Sequence, residues 1–160
     1  MGRSSDSGIG HLTIGNGGTV WIGNGGTTGT LGLGPVTNYA TLRVNRADDV
    51  VVSNPVTGTG GIVLYGTNST RFSSVSLTGS LQVGNNAAGP AALLVGDGDE
   101  VTVGRLFTGE AVGNAGNIVQ NGGVLTVTDV TDGEGPFRLG HWSTETSTYW
   151  MVSGELYVTN

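Results

Sequence analysis

At 160 residues the chain has the length of one domain, and its make-up is narrow: 31 glycines, four prolines, no cysteine and only 11% charged residues. The net charge of −6 comes with six basic residues, all arginine and none in a run, which excludes a nucleic-acid backbone as partner. Without cysteine there is no disulfide framework and no thiolate metal site; no apolar run approaches the ~18 residues of a membrane span, and the glycines lack the period of collagen.

Met1 to Gly10 is polar and reads as a flexible leader without a visible signal peptide, so residues 11–160 are expected to form a single domain. A short rule then begins. Leu12-x-Ile14 is followed by Gly-Asn-Gly-Gly-Thr19, and Ile22 is followed by the same five residues to Thr27, an internal duplication the size of one strand. Leu31-x-Leu33-Gly34 reads as a further strand, ended by Pro35, which has no N–H for a ladder. Trp21, between Val20 and Ile22, is expected to point outward because strand side chains alternate.

Thr41 to Val44 restarts the pattern, Asn45 to Asp48 makes a polar corner, and Val50 to Val52 is a β-branched run suited to a strand. Ile62 to Tyr65, Val75 to Leu77, Leu81 to Val83, Leu93 to Val95 and Val101 to Val103 follow, each bounded by glycine or other turn residues. Leu106 to Gly116 is the least regular stretch, with Phe107 expected to fill a corner. Regularity returns at Ile118, Leu125 to Val127, Phe137 to Gly140, Tyr149 to Val152 and Leu156 to Val158. Gly123-x-Leu125-x-Val127 and Gly154-x-Leu156-x-Val158 match each other, and the interval between them has the size of one full coil.

About fourteen strands of three to five residues are too short and too many for a sandwich. They suit a solenoid, because one x-L-x-V strand buries almost nothing and must be stacked to gain a core. The expected fold is all-β, a right-handed parallel β-helix of about five coils with open ends. Its inward columns would hold Leu12, Ile14, Leu31, Leu33, Leu42, Val44, Ile62, Leu64, Leu81, Val83, Leu93, Val95, Val101, Val103, Leu125, Val127, Leu156 and Val158, with Gln82 outward and tolerant of change. Asn16, Asn24, Asn45 and Asn121 are placed to satisfy turn backbone or to stack.

Thr41 to Gly84 resembles the autotransporter-associated β-strand repeat. Asn45-Arg46, Gly58 to Gly61, Gly66-Thr67-Asn68, Phe72 and Gly79 to Gly84 occupy the polar corner, first turn, second turn, aromatic and closing positions of that family's pattern. Phe137 to Asn160 is similar to the short repeats of large secreted bacterial β-helix proteins. The resemblance implies an extracellular, bacterial cell-surface β-helix acting as stalk, adhesin or matrix component. The signal peptide and membrane barrel of a full autotransporter are not in this sequence, so self-translocation is not implied.

The chemistry-bearing residues are few. Asp97-x-Asp99-Glu100 and Asp129-x-x-Asp132-x-Glu134 are the acidic clusters, read first as solvated corners and second as weak structural calcium ligands from Asp97, Asp99, Asp132 and Glu134. They lack the spacing of an EF-hand or of calcium-stacked rolls. His11 and His141 have no cysteine or neighbouring histidine with which to hold zinc. No nucleophile elbow occurs, so no catalytic residue and no cofactor is expected. Trp142, Tyr149 and Trp150 could form an aromatic platform for sugar rings, although packing aromatics is the commoner role of such residues. Asn68-Ser69-Thr70 is a glycosylation sequon in an expected turn.

The expected role is therefore structural: a stalk or adhesin segment, or a filament subunit, whose open ends meet neighbouring coils of a longer chain or another copy. A carbohydrate-binding module and a polysaccharide lyase or hydrolase are the alternatives.

Overall fold

The computed structural model describes residues 9–85, 89–109, 113–128, 135–140, 144 and 146–159. Most of the expected leader, Asp129, Asp132, Glu134, His141 and Trp142 lie outside these. Sixteen strands and no helix occur among the described residues: β1 (Leu12–Ile14), β2 (Thr19–Ile22), β3 (Val36–Asn38), β4 (Thr41–Val44), β5 (Val50–Val52), β6 (Val56–Gly58), β7 (Gly61–Leu64), β8 (Ser69–Phe72), β9 (Ser74–Leu77), β10 (Ser80–Val83), β11 (Ala91–Val95), β12 (Glu100–Val103), β13 (Arg105–Thr108), β14 (Gly116–Val127), β15 (Phe137–Arg138) and β16 (Thr148–Val158).

Every pairing among these strands is parallel, and they fall into three ladders. The first stacks β1, β3, β6, β9, β12 and the C-terminal halves of β14 and β16. The second stacks β2, β4, β7, β10, β13 and β15. The third stacks β5, β8, β11 and the N-terminal halves of β14 and β16. Because β14 belongs to two ladders, the first and third join as one strongly curled sheet of ten strands. From β3 onward the chain visits the ladders in turn, an arrangement that fits a β-solenoid.

Alternation explains the core. In β4 and β7 every second residue is buried, and parallel register sets like residues over like: Leu42, Ile62, Leu81 and Leu106 form one wholly buried column. Each such side chain gains about 1.5–3 kcal/mol from burial, offset by the entropy of ordering the chain around it. The interval between the two Gly-x-Leu-x-Val units is one full circuit, with Leu125 paired to Leu156 and Val127 to Val158. Circuits differ in length: the path from Val56 to its partner Val75 is much shorter than the path from Leu125 to Leu156.

Two long strands, β14 and β16, replace pairs of short ones. β14 turns its corner at Gly122 and Gly123, with φ of 147° and 63°. A Cβ on Gly123 would stand 2.5 Å from the Gly96 carbonyl oxygen and 2.6 Å from that of Asp99, so only glycine lets the corner pass this close to the circuit below.

Several expectations are corrected. Leu31-x-Leu33 is not a strand: residues 23–35 form a loop, Leu31 packs half-buried on the core, and Leu33 is 91% exposed. The duplicated hexamers diverge because only the first ends in a strand, Thr19 opening β2, whereas the second is captured by Arg46. That guanidinium donates to the carbonyls of Thr27 and Gly29 at 2.6 and 2.7 Å and forms two bonds with Asp48. Phe107 fills no corner; it lies on the outer side of β13, between buried Leu106 and Thr108. Val158 faces inward but is largely exposed, since no described strand covers β16 on its far side. Gln82 faces outward as expected and yet is only 5% exposed, its Nε2 lacking a partner. The asparagines buried at the corners, Asn38, Asn54, Asn68 and Asn114, are not among those expected; Asn38, for one, donates from Nδ2 to the Gly61 carbonyl and accepts from the Ala40 N–H.

Candidate functional site

Strand alternation separates the C-terminal aromatics. Tyr149 and Trp150 are neighbours in β16 and therefore face opposite ways. The Tyr149 ring turns inward against Phe137, edge to face at 5.7 Å, and its hydroxyl donates to Gln120 Oε1 at 2.6 Å. Burial raises its pKa above the ordinary phenol value. Trp150 points outward, 67% exposed, at the end of the row Val51, Arg71, Leu94, Val119, Trp150 on the third ladder. The two do not share a platform, and Trp142 lies outside the described residues.

The acidic cluster at Asp97 and Asp99 is likewise divided. Asp97 is exposed. Asp99 is 2% exposed and engaged on both oxygens: Arg71 donates from Nε to Oδ2 at 2.7 Å and from Nη2 to Oδ1 at 3.0 Å, and the Gly96 N–H donates to Oδ2. The hydrogen bond to Asp99 raises the Arg71 pKa further above its already high value. This carboxylate ties a corner to the neighbouring circuit and has little capacity left for calcium. Among the described residues no group of three His, Asp or Glu converges on one point.

Asn68 is not the exposed acceptor that the sequon suggests. It is 4% exposed, and its Nδ2, the atom a glycan would modify, donates to Thr70 Oγ1 at 3.0 Å. His11 pairs through Nε2 with Thr37 Oγ1.

The most developed outward constellation lies on the second ladder. Its strands carry the units TVWI, TLRV, GIVL, SLQV and RLFT, and register places their third residues in one outer row, Trp21, Arg43, Val63, Gln82 and Phe107, followed by Arg138. Trp21 is 44% exposed. The Arg43 guanidinium carbon lies 5.0 Å from the Trp21 ring centre and 6.0 Å from that of Tyr65. The two rings meet at 81° with centres 5.6 Å apart. Higher in the row, Arg138 lies over Phe107 at 5.9 Å. Sequence reading found Trp21 outward but missed its partners. The signal was present, because aligning the x-L-x-V units and reading their third positions spells out this row.

No protein-family model, curated protein or solved structure matches the chain.

Proposed function

We propose that this protein is a non-catalytic structural element of the bacterial cell surface or extracellular matrix, a β-helical stalk, adhesin segment or filament subunit. The observation that carries the reading is the unbroken parallel stacking of all three ladders on one buried core, which makes a stiff rod rather than a cleft. Five complete three-strand circuits, from β3 to the first half of β16, follow an incomplete first one, in keeping with a right-handed parallel β-helix of about five coils. The right hand follows from the strong preference of parallel crossover connections for that sense. Bacterial surface location rests on the resemblance of Thr41 to Gly84 to autotransporter-associated repeats.

The far edge of β16, with Met151, Val152 and Val158 exposed beside it, suits a further parallel rung. Neighbouring coils of a longer chain or a second copy of this one would supply it. Electron microscopy of the purified chain over a concentration series tests the reading. Narrow unbranched fibres, or short rods of one width, support it; rounded particles, or turnover of any polysaccharide by the purified chain, overturn it.

A further inference from the structure

We propose that Trp21, Arg43 and Tyr65 form a binding subsite for a carboxylated sugar ring on the outer face of the second ladder, with the indole as stacking surface and the guanidinium as carboxylate receptor. Three observations carry this. First, Trp21 sits mid-strand, outward and 44% exposed, so one side of a flat apolar ring system is available to the C–H face of a sugar.

Second, the Arg43 guanidinium is held in place by two rings rather than by a charge. Its central carbon lies 5.0 Å from one ring centre and 6.0 Å from the other. Arg46 and Arg71 each have a carboxylate within 2.7 Å, whereas Arg43 has no ion pair among the described residues; its Nε is buried without an acceptor, so a ligand carboxylate would meet the terminal Nη1 and Nη2. An arginine without a carboxylate is unexpected in a chain of net charge −6, and its planar fork is suited to receive one from a ligand.

Third, the row continues. Phe107 and Arg138 repeat the pairing of ring and guanidinium farther along the same line. With rungs ~4.8 Å apart, Trp21 and Phe107 are separated by roughly 19 Å along the axis, so the row suits a chain of several rings rather than a single sugar. A nucleic acid is a poorer fit, because such grooves track a backbone of many phosphates with many cations.

The experiment is a tryptophan-fluorescence and calorimetric titration of the intact chain with β-1,4-linked tetraglucuronate and with cellotetraose, the same chain bearing hydroxymethyl groups in place of carboxylates. The expected result is saturable quenching by tetraglucuronate, at least tenfold weaker binding of cellotetraose, and a loss of at least tenfold in affinity in Arg43→Gln. Trp150→Ala should bind as the parent does, which locates the site away from the C-terminal aromatics. Arg43→Lys, which keeps the charge without the fork, should fall between parent and Arg43→Gln, and circular dichroism melting verifies that each variant is folded. Absence of saturable binding to tetraglucuronate would overturn the proposal and leave the three residues a packing contact only. Equal affinity for the two oligosaccharides, or unchanged affinity in folded Arg43→Gln, would overturn it too.

Discussion

Leu93 and Leu33 offer the same deletion in opposite surroundings. Leu93 is wholly buried in β11, with Thr70 beneath it and Ile118 above it in register. Leu33 is 91% exposed in the loop before Pro35. Truncating a buried leucine to alanine removes its transfer free energy and leaves a hole whose cost depends on how far the surroundings collapse. Here collapse is hindered, because backbone ladders on both sides hold the rungs at a fixed spacing of ~4.8 Å. The cost should therefore lie in the upper part of the range for such changes, about 4 kcal/mol, a large share of the roughly 5–15 kcal/mol that holds a domain together. Leu33→Ala should change stability by no more than about 0.5 kcal/mol. Urea unfolding followed by circular dichroism measures both, and at a slope of about 2 kcal/mol per molar the midpoint of Leu93→Ala should fall by roughly 2 M. Equal midpoints for the two variants would refute the assignment of strand faces.

Gln82→Met should stabilise the fold by up to about 1 kcal/mol, since it removes a buried amide nitrogen without a partner, while Gln82→Asp should destabilise it; thermal melts of the two compare them. Arg46→Met should free residues 23–35, seen as faster cleavage there by a nonspecific protease, and Arg46→Lys should not restore protection because it lacks the fork. The Arg46 hydrogen bond lowers the Asp48 pKa, so this clamp is complete above the unfolded value of about 3.9 and weakens as pH falls through the lowered one. Burial raises the Tyr149 pKa, so its contribution is complete below about pH 10 and is lost as pH rises through the raised value. Between pH 9 and pH 11 the urea midpoint should fall farther in the parent than in Tyr149→Phe.

Much of the fold was legible because stacked parallel strands write their geometry as a two-residue alternation. Leu42, Val44, Ile62, Leu64, Leu81 and Val83 are buried as their spacing requires, and the repeat of Gly123-x-Leu125-x-Val127 at Gly154-x-Leu156-x-Val158 marks one circuit. Legibility failed where a local pattern was overruled from another circuit. Leu31-x-Leu33 has the letters of a strand, but it lies in the loop that Arg46 pins at Thr27 and Gly29 from the next circuit. Asn68 looks like an exposed sequon until its amide is seen bound to Thr70. Tyr149 and Trp150 look like one aromatic group until the strand that carries them sends them to opposite faces. Trp21 and Arg43 stand far apart in the chain and become neighbours only once the register of β2 on β4 is known.

The unequal circuits have a consequence for how such a chain can change. The path from Val56 to Val75 is short and the path from Leu125 to Leu156 is long, yet both pairs sit in the same column. Length is absorbed at the corners while the ladders keep step, so residues can be gained or lost at one corner without moving any other circuit. Such a scaffold separates two tolerances to change: low in the columns, where a single methylene matters, and higher at those corners that no side chain ties to a neighbouring circuit. A foreign epitope spliced into a corner would be displayed at a fixed height on the stacked ladders, set by the circuit chosen rather than by the length of the insert.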